Sequence, residues 1–474
     1  MTTQEKSPPQ SPSEADPGPL GRLGAWTATH RRWVFGTWAL LVIGLGIAAP
    51  SVFGSLAGAG WQANDSESVA VRNLAQEHFG GNSSAAVQVV IHSDSSQISS
   101  PEVARLIDEI KRIAHSDNRF GEVVTPQPGM TISRDGHTGV VIIGANADTD
   151  AMVRAVDDHK DELASLSGNG IAVYPTGASA LWSDFNKANH DAMIKAEMVS
   201  WPITLAIMIV AFGSLVAAGL PLLLTIAGLV ASAGGLVLLN MATPISVWAM
   251  NFAMMFALAL GIDYALFMVS RFRAAMILHD SGRRAITETM DTAGKAVLLS
   301  GLTVLVSLSA VLLVPAPAVR TMAVGIMLAV VFVLAATMTL LPAVLSALGP
   351  KVNAGRLPWT KQQEHHSTFF ASWGRLLHRH PWPFAIGALV ILLTLAAPVL
   401  GLKVAMPSIA VLPEDAPVRQ GYAVVAEAMG PGAPGALQIV TTRADADAAA
   451  AAAANSPGIA MVTPPIPSAD GTDH

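Results

Sequence analysis

A chain of 474 residues that is 51% hydrophobic and only 13% charged is not built as an ordinary soluble protein, in which about 25% of residues carry charge. Its net charge of −6, with basic residues set beside apolar stretches and not gathered in one patch, excludes a nucleic-acid partner. The absence of cysteine excludes disulfides, zinc-thiolate sites and cysteine nucleophiles.

Residues 1–32 contain Ser7-Pro8-Pro9-Gln10-Ser11-Pro12 and almost no large apolar side chain before Leu20, so a disordered cytoplasmic leader is expected. A first span follows at 33–53, with Val34 to Phe53 free of charge. Its apolar core and the long segment before it both exceed what a cleaved signal peptide carries.

Residues 54–195 alternate strand and helix patterns. Val87 to His92 reads as a strand, Pro101 to His115 as an amphipathic helix, and Met130 to Ser133 with Thr138 to Ile143 as a hairpin turned at Asp135-Gly136. Asp150 to Leu166 reads as a second helix and Ile171 to Tyr174 as a last strand. The order β-α-β-β-α-β is that of a ferredoxin-like α+β domain, here an exported, porter-type one.

From Met198 to Ile262 there is no charge, a run too long for one helix when about 20 residues cross a bilayer. Phe212-Gly213-Ser214 through Pro221, and Asn240 to Pro244, are its natural breaks. Spans are expected near 198–216, 219–239 and 248–270, then within Ala296 to Val319, Thr321 to Pro350 and Pro381 to Leu402. The chain is thus expected to be an α-helical polytopic membrane protein. Spans two to six fill 196–349, a cytoplasmic loop fills 350–380, and a seventh span at 381–402 precedes the start of a second exported domain at 403–474.

Arg22, Arg31 and Arg32, then Arg271, Arg273, Arg283, Arg284 and Lys295, then Lys351 to Arg379, lie in alternate loops. Those loops are expected to be cytoplasmic in the cell membrane, with 54–195 and 403–474 outside; among short loops only Arg320 falls on the wrong side. His365-His366 sits in a polar loop and is expected to be solvated, with no metal site.

The chain also repeats itself at an offset of about 350 residues. His30-Arg31-Arg32-Trp33 and a span ending Ala48-Ala49-Pro50 recur as His378-Arg379-His380-Pro381-Trp382 and a span ending Ala396-Ala397-Pro398. Glu77-His78-Phe79-Gly80 is echoed by Glu427-Ala428-Met429-Gly430, and the strand Ala86 to His92 by a strand expected over Leu437 to Thr442. An internal duplication is expected, its second copy truncated after one span and the opening of its outer domain. Parallel repeats of this kind occur among secondary transporters.

Asp263 is the charge that stands out. It lies eight residues before Arg271, about 12 Å along a helix and so close to the middle of the bilayer. A buried carboxyl there is disfavoured as an anion, which suits it to take a proton from one side and release it to the other. The alternative is a neutral Asp that binds a neighbouring helix. Tyr264 offers a phenol beside it, and Ser300, Thr303 and Ser307 recur as one polar stripe on the fifth span. Those hydroxyls either serve the Asp263 site or bond their own helix four residues back. An intramembrane aspartyl protease would need a second carboxylate inside a span, and Asp263 has none. No HExxH, GxSxG or phosphate-loop pattern appears, so neither an enzyme nor a cofactor site is expected.

Gly261-Ile262-Asp263-Tyr264-Ala265-Leu266-Phe267-Met268-Val269-Ser270-Arg271-Phe272-Arg273 resembles the fourth-span signature of the mycobacterial membrane protein large (MMPL) family, in the resistance-nodulation-division superfamily. Ala196-Glu197, Phe212-Gly213-Ser214 and Gly294-Lys295 through Ser300 are similar to its other recurrent segments. The resemblance implies a proton-driven exporter of lipids or other hydrophobic compounds, with Asp263 and Tyr264 as the first of two relay pairs and Ser300 as a nearby serine. It implies membrane lipids, a hydrophobic substrate and protons as partners, together with a second copy or a separate second half. A non-transporting scaffold or lipid-sensing protein is the competing expectation.

Overall fold

The structure, a computed structural model, describes residues 17–52, 56, 66–279, 281–356, 368–402 and 408–473. The expectations for Ser7 to Pro12 and for His365-His366 lie outside the described residues.

Helices α1 (Pro19–Thr29) and α2 (Arg31–Ala48) are separated by His30. The disordered leader expected over 1–32 is therefore corrected over α1. Backbone N–H groups of Gly18 and Gly21 donate to the Asp291 carboxylate at 3.0 and 2.7 Å, and Gly24 lies against Met290 and Ile286. Contacts some 270 residues away hold this helix, so no local pattern foretells it.

Next come α3 (Glu67–His78), β1 (Val87–His92), α4 (Pro101–His115), β2 (Phe120–Val124), β3 (Thr138–Ala145), α5 (Thr149–Ser165) and β4 (Ala172–Thr176). The strands form an antiparallel sheet in the order β2-β3-β1-β4, with Val89 opposite Val141 and Pro175. Alternating residues Val87, Val89 and Ile91 bury against Ile110, Ile113, Met152 and Leu163 of α4 and α5, as a period-two pattern on one packed face requires. The first arm of the expected hairpin is corrected: the strand is Phe120–Val124, and Ile132 contributes isolated bridges, to Pro128 and to Gly139. Ser133 explains why. Its hydroxyl engages Asp135 Oδ1 and Thr138 and tightens the turn, while Ser133 N donates to the Thr138 carbonyl and Val140 N to the Thr131 carbonyl, so the arm meets β3 without forming a regular strand.

From β4 the chain enters α6 (Ala178–Phe212), a continuous helix of 35 residues that leaves the α+β domain and joins the apolar bundle. Lys160 of α5 anchors its start, with Nζ 2.8 Å from Asp157 and 3.0 Å from Asp184. The break after Phe212 is made by Gly213 at φ 63°, the left-handed conformation that ends helices. Ser214 then caps α7 (Leu215–Asn240), and the Asn240 side chain accepts from Ile245 N before α8 (Val247–Leu278) begins.

Helix α9 (Gly282–Thr289) passes through a π-helical turn at Met290–Gly294 into α10 (Lys295–Val311). Then come α11 (Pro317–Ala335), a second π turn at Ala336–Leu340, and α12 (Leu341–Leu348). The bundle core is α7, α8 and α11, drawn together by small residues: a Cβ on Gly228 would lie 2.8 Å from Val333, and one on Gly325 2.7 Å from the Ala249 carbonyl. Gly234 packs in the same way on Leu45 of α2.

Helices α13 (Thr368–Arg379) and α14 (Pro381–Ala396) follow, and α14 buries no residue. After it, α15 (Pro417–Met429) lies on the second face of the sheet, where Val425 joins Val90 and Val140; Thr176 Oγ1 donates to the Val418 carbonyl at 3.1 Å. The strand expected over Leu437 to Thr442 is corrected, for the segment is irregular and is tied by Gln438 to the Asn82 carbonyl. A short helix, α16 (Ala446–Ala454), comes last. Seven helical stretches are long and apolar enough to cross a membrane among the described residues: Arg31–Ser51, Ala178–Phe212, Leu215–Asn240, Val247–Leu278, Gly282–Val311, Pro317–Asn353 and Pro381–Gly401.

Candidate functional site

Asp263 stands at the middle of α8, a helix whose two sides differ. Gly261, Tyr264, Ala265 and Met268 are buried, while Ala259, Asp263, Phe267 and Ser270 are exposed on the flank of the bundle. The buried side is fixed by close approach: a Cβ on Gly261 would lie 2.4 Å from Thr225 Oγ1 of α7. Thr225 itself donates to the Pro221 carbonyl at 2.8 Å and is fully buried. Ala259, by contrast, faces outward and brings no helix close.

Consecutive positions on α8 differ by about 100°, so Asp263 and Tyr264 point to different surroundings. Tyr264 is 6% exposed, and its Oη lies 3.4 Å from Ser300 Oγ on α10, at the long end of hydrogen bonding. The carboxylate of Asp263 makes no hydrogen bond or ion pair among the described residues.

The expected polar stripe is on α10, and its members behave differently. Ser300 meets Tyr264. Thr303 Oγ1 donates to the Leu299 carbonyl at 2.9 Å, the self-satisfying alternative. Ser307 lies exposed on the same side. None of the three bonds Asp263.

At the end of α8 nearest Arg271 lies a cluster the sequence did not reveal. Glu288 accepts from Arg271 Nη2 at 2.8 Å and is bonded to His279 Nε2 at 2.5 Å; Arg271 Nε also reaches Thr292. Arg273 donates to the Phe212 carbonyl at 2.8 Å and lies over the Phe212 ring. These arginines, counted in the sequence only as markers of orientation, lock the ends of α6, α8 and α9 together. A cavity of about 1190 Å³ beneath the α+β domain does not include Asp263.

The MMPL family model matches residues 60–386, most of the chain and all of the elements just described from α3 to the start of α14. The chain belongs to the MMPL family. Among its MMPL relatives, the mycolic acid-containing lipids exporter MmpL11 of Mycolicibacterium smegmatis is 32% identical over 94% of this chain and 49% of its own length. The putative membrane protein SCO6666 of Streptomyces coelicolor is 32% identical over 88% of this chain and 58% of its own. The trehalose monomycolate exporter MmpL3 of M. smegmatis is 25% identical over 82% and 42%. This MMPL chain spans about half the length of the MmpL proteins it matches. Family membership and seven apolar helices together make it a multi-pass membrane protein.

Proposed function

We propose that this MMPL chain is the first half of a proton-driven exporter of lipids or other hydrophobic compounds in the cytoplasmic membrane. The observation that carries the proposal is the geometry at the middle of α8: an exposed carboxyl, Asp263, next to a buried phenol, Tyr264, that reaches Ser300. A carboxyl at mid-membrane gains a proton from one side and loses it to the other. Each such charge crossing contributes about 2.3 kcal/mol per 100 mV. Lipid is the proposed cargo because two relatives bear the names of lipid exporters. The chain acts as a transporter and not as an enzyme.

In this proposal residues 1–32 and 350–380 are cytoplasmic, and 54–195 and 403–474 are outside. The α+β domain is a ferredoxin-like porter domain, consistent with its sheet order. A duplication is supported by matching local structure. In both places a short helix breaks at one histidine, His30 or His380, before a span that ends in a 3₁₀ turn, Ala49–Ser51 or Ala397–Gly401. The exposed flank carrying Asp263, Phe267 and Ser300 is then the surface against which a second half, or a second copy, packs.

The test is export of a fluorescent lipid under an imposed proton gradient, from membranes carrying the chain or its Asp263→Asn variant. Loss of gradient-dependent export in the variant alone supports the relay. Undiminished export in the variant would sink it, and no export by the unaltered chain would favour a non-transporting scaffold or lipid sensor.

A further inference from the structure

Arg320 is the one short-loop cation that opposes the charge bias of the loops. It stands in the first turn of α11 and lines the cavity of about 1190 Å³ beneath the α+β domain. Two more arginines enter the same cavity from above, Arg72 of α3 and Arg154 of α5. The opposite wall is apolar: Leu239, Ile245, Leu312 and Val324 supply it from the ends of the bundle helices. A charged roof over an apolar floor is the shape of a site for an amphiphile.

The charges do not cancel: Arg72, Arg154 and Arg320 face two carboxylates, Asp148 and Asp150, and Asp148 is held as the cap of α5, accepting from the N–H groups of Asp150 and Ala151 at 2.9 Å. Asp150 is set against Arg72, whose guanidinium burial pushes below its ordinary value while the carboxylate opposes that shift. Neither Arg154 nor Arg320 has a carboxylate at ion-pair distance among the described residues. Arg320 spends only its Nε, on the Val314 carbonyl at 2.7 Å, which leaves both terminal nitrogens of its fork.

We infer that this cavity binds the oxyanion headgroup of a lipid, a phosphate-type anion held by Arg154 and Arg320 with its acyl chains along the Leu239, Ile245, Leu312 and Val324 floor. Guanidinium forks bind oxyanions through paired N–H groups. The net positive lining prefers an anionic over a zwitterionic headgroup. That the lipid comes from the outer leaflet rests on the orientation proposed above; the binding itself does not.

The test is native mass spectrometry of the full chain, released from micelles doped with phosphatidylglycerol or with phosphatidylcholine at equal concentration. Phosphatidylglycerol is expected to be retained preferentially. The Arg154→Gln/Arg320→Gln double variant is expected to lose roughly tenfold in that retention with an unchanged thermal melting curve. A Lys pair at the same positions keeps charge without the fork and is expected to fall between. Equal retention of the two lipids, or full retention of phosphatidylglycerol by a folded double variant, would overturn the site. Inorganic phosphate is the competing probe: variant-sensitive phosphate binding with no preference between the lipids would overturn the lipid assignment. Because this measures binding alone, its failure is distinct from a failure of proton-driven export.

Discussion

The Tyr264 hydroxyl and the Ser300 hydroxyl meet at 3.4 Å between α8 and α10, while Asp263, the residue just before Tyr264, faces the open flank. In the proposed relay Tyr264 passes a proton only while its hydroxyl stays oriented, a role the contact with Ser300 is proposed to serve. A single neutral hydrogen bond contributes about 1 kcal/mol. Ser300→Ala is therefore expected to slow gradient-dependent lipid export about fivefold, and Tyr264→Phe at least as much, in transport assays on native membranes. Combining the two should cost little more than Tyr264→Phe alone, since both remove the same contact.

Gly261 tests the packing that sets Asp263 outward. A methyl group there would sit 2.4 Å from Thr225 Oγ1, and overpacking of a buried contact costs about 1–3 kcal/mol. Gly261→Ala is expected to lower the thermal midpoint of the purified protein by several degrees. Thr225→Ala in the same chain should recover part of the loss, because it removes the clashing oxygen. A midpoint unmoved by Gly261→Ala would contradict the close approach of α7 and α8.

Asp291 fastens α1 through the Gly18 and Gly21 N–H groups. Hydrogen bonds to a charged group contribute about 1.5–3 kcal/mol. Asp291→Ala is expected to release α1, seen as faster amide exchange over residues 18–30 with the rest of the bundle unchanged. Asp291→Asn, which can still accept, should show a smaller effect.

The α+β domain has a built-in acid sensitivity. The Arg119 guanidinium, with Nε 2.9 Å from Asp117 Oδ2, holds the Asp117 carboxyl down at about 2. Its folded value lies below the ordinary carboxylate value of about 3.9, so its contribution to stability is complete above that value. It is lost as pH falls through about 2. Unfolding followed by circular dichroism between neutral pH and that limit is expected to show the loss, and Asp117→Asn should flatten it.

Much of this arrangement was legible in the sequence, for reasons of period and length. Charge-free runs located the apolar helices because crossing a bilayer requires them, and Phe212-Gly213-Ser214 marked a break because Gly213 takes the left-handed conformation there. What failed depended on contacts far apart in sequence. Helix α1 is held by Asp291, the expected hairpin arm at Met130 to Ser133 is tightened around the Ser133 side chain, and the segment expected as a strand at Leu437 to Thr442 is irregular and tied by Gln438 to Asn82. At the candidate site, Asp263 announced itself by charge. Its outward direction, the fate of Thr303 on its own helix, and the Glu288 cluster with Arg271 and His279 did not.

The central claim is that Asp263 carries the proton. The direct measurement is proton entry into vesicles bearing the protein, read by an internal pH-sensitive dye after adding lipid substrate under an imposed gradient. Substrate-dependent acidification is expected with the unaltered chain and none with Asp263→Asn, at equal protein content and melting temperature. Acidification by the Asp263→Asn protein at the unaltered rate would contradict it.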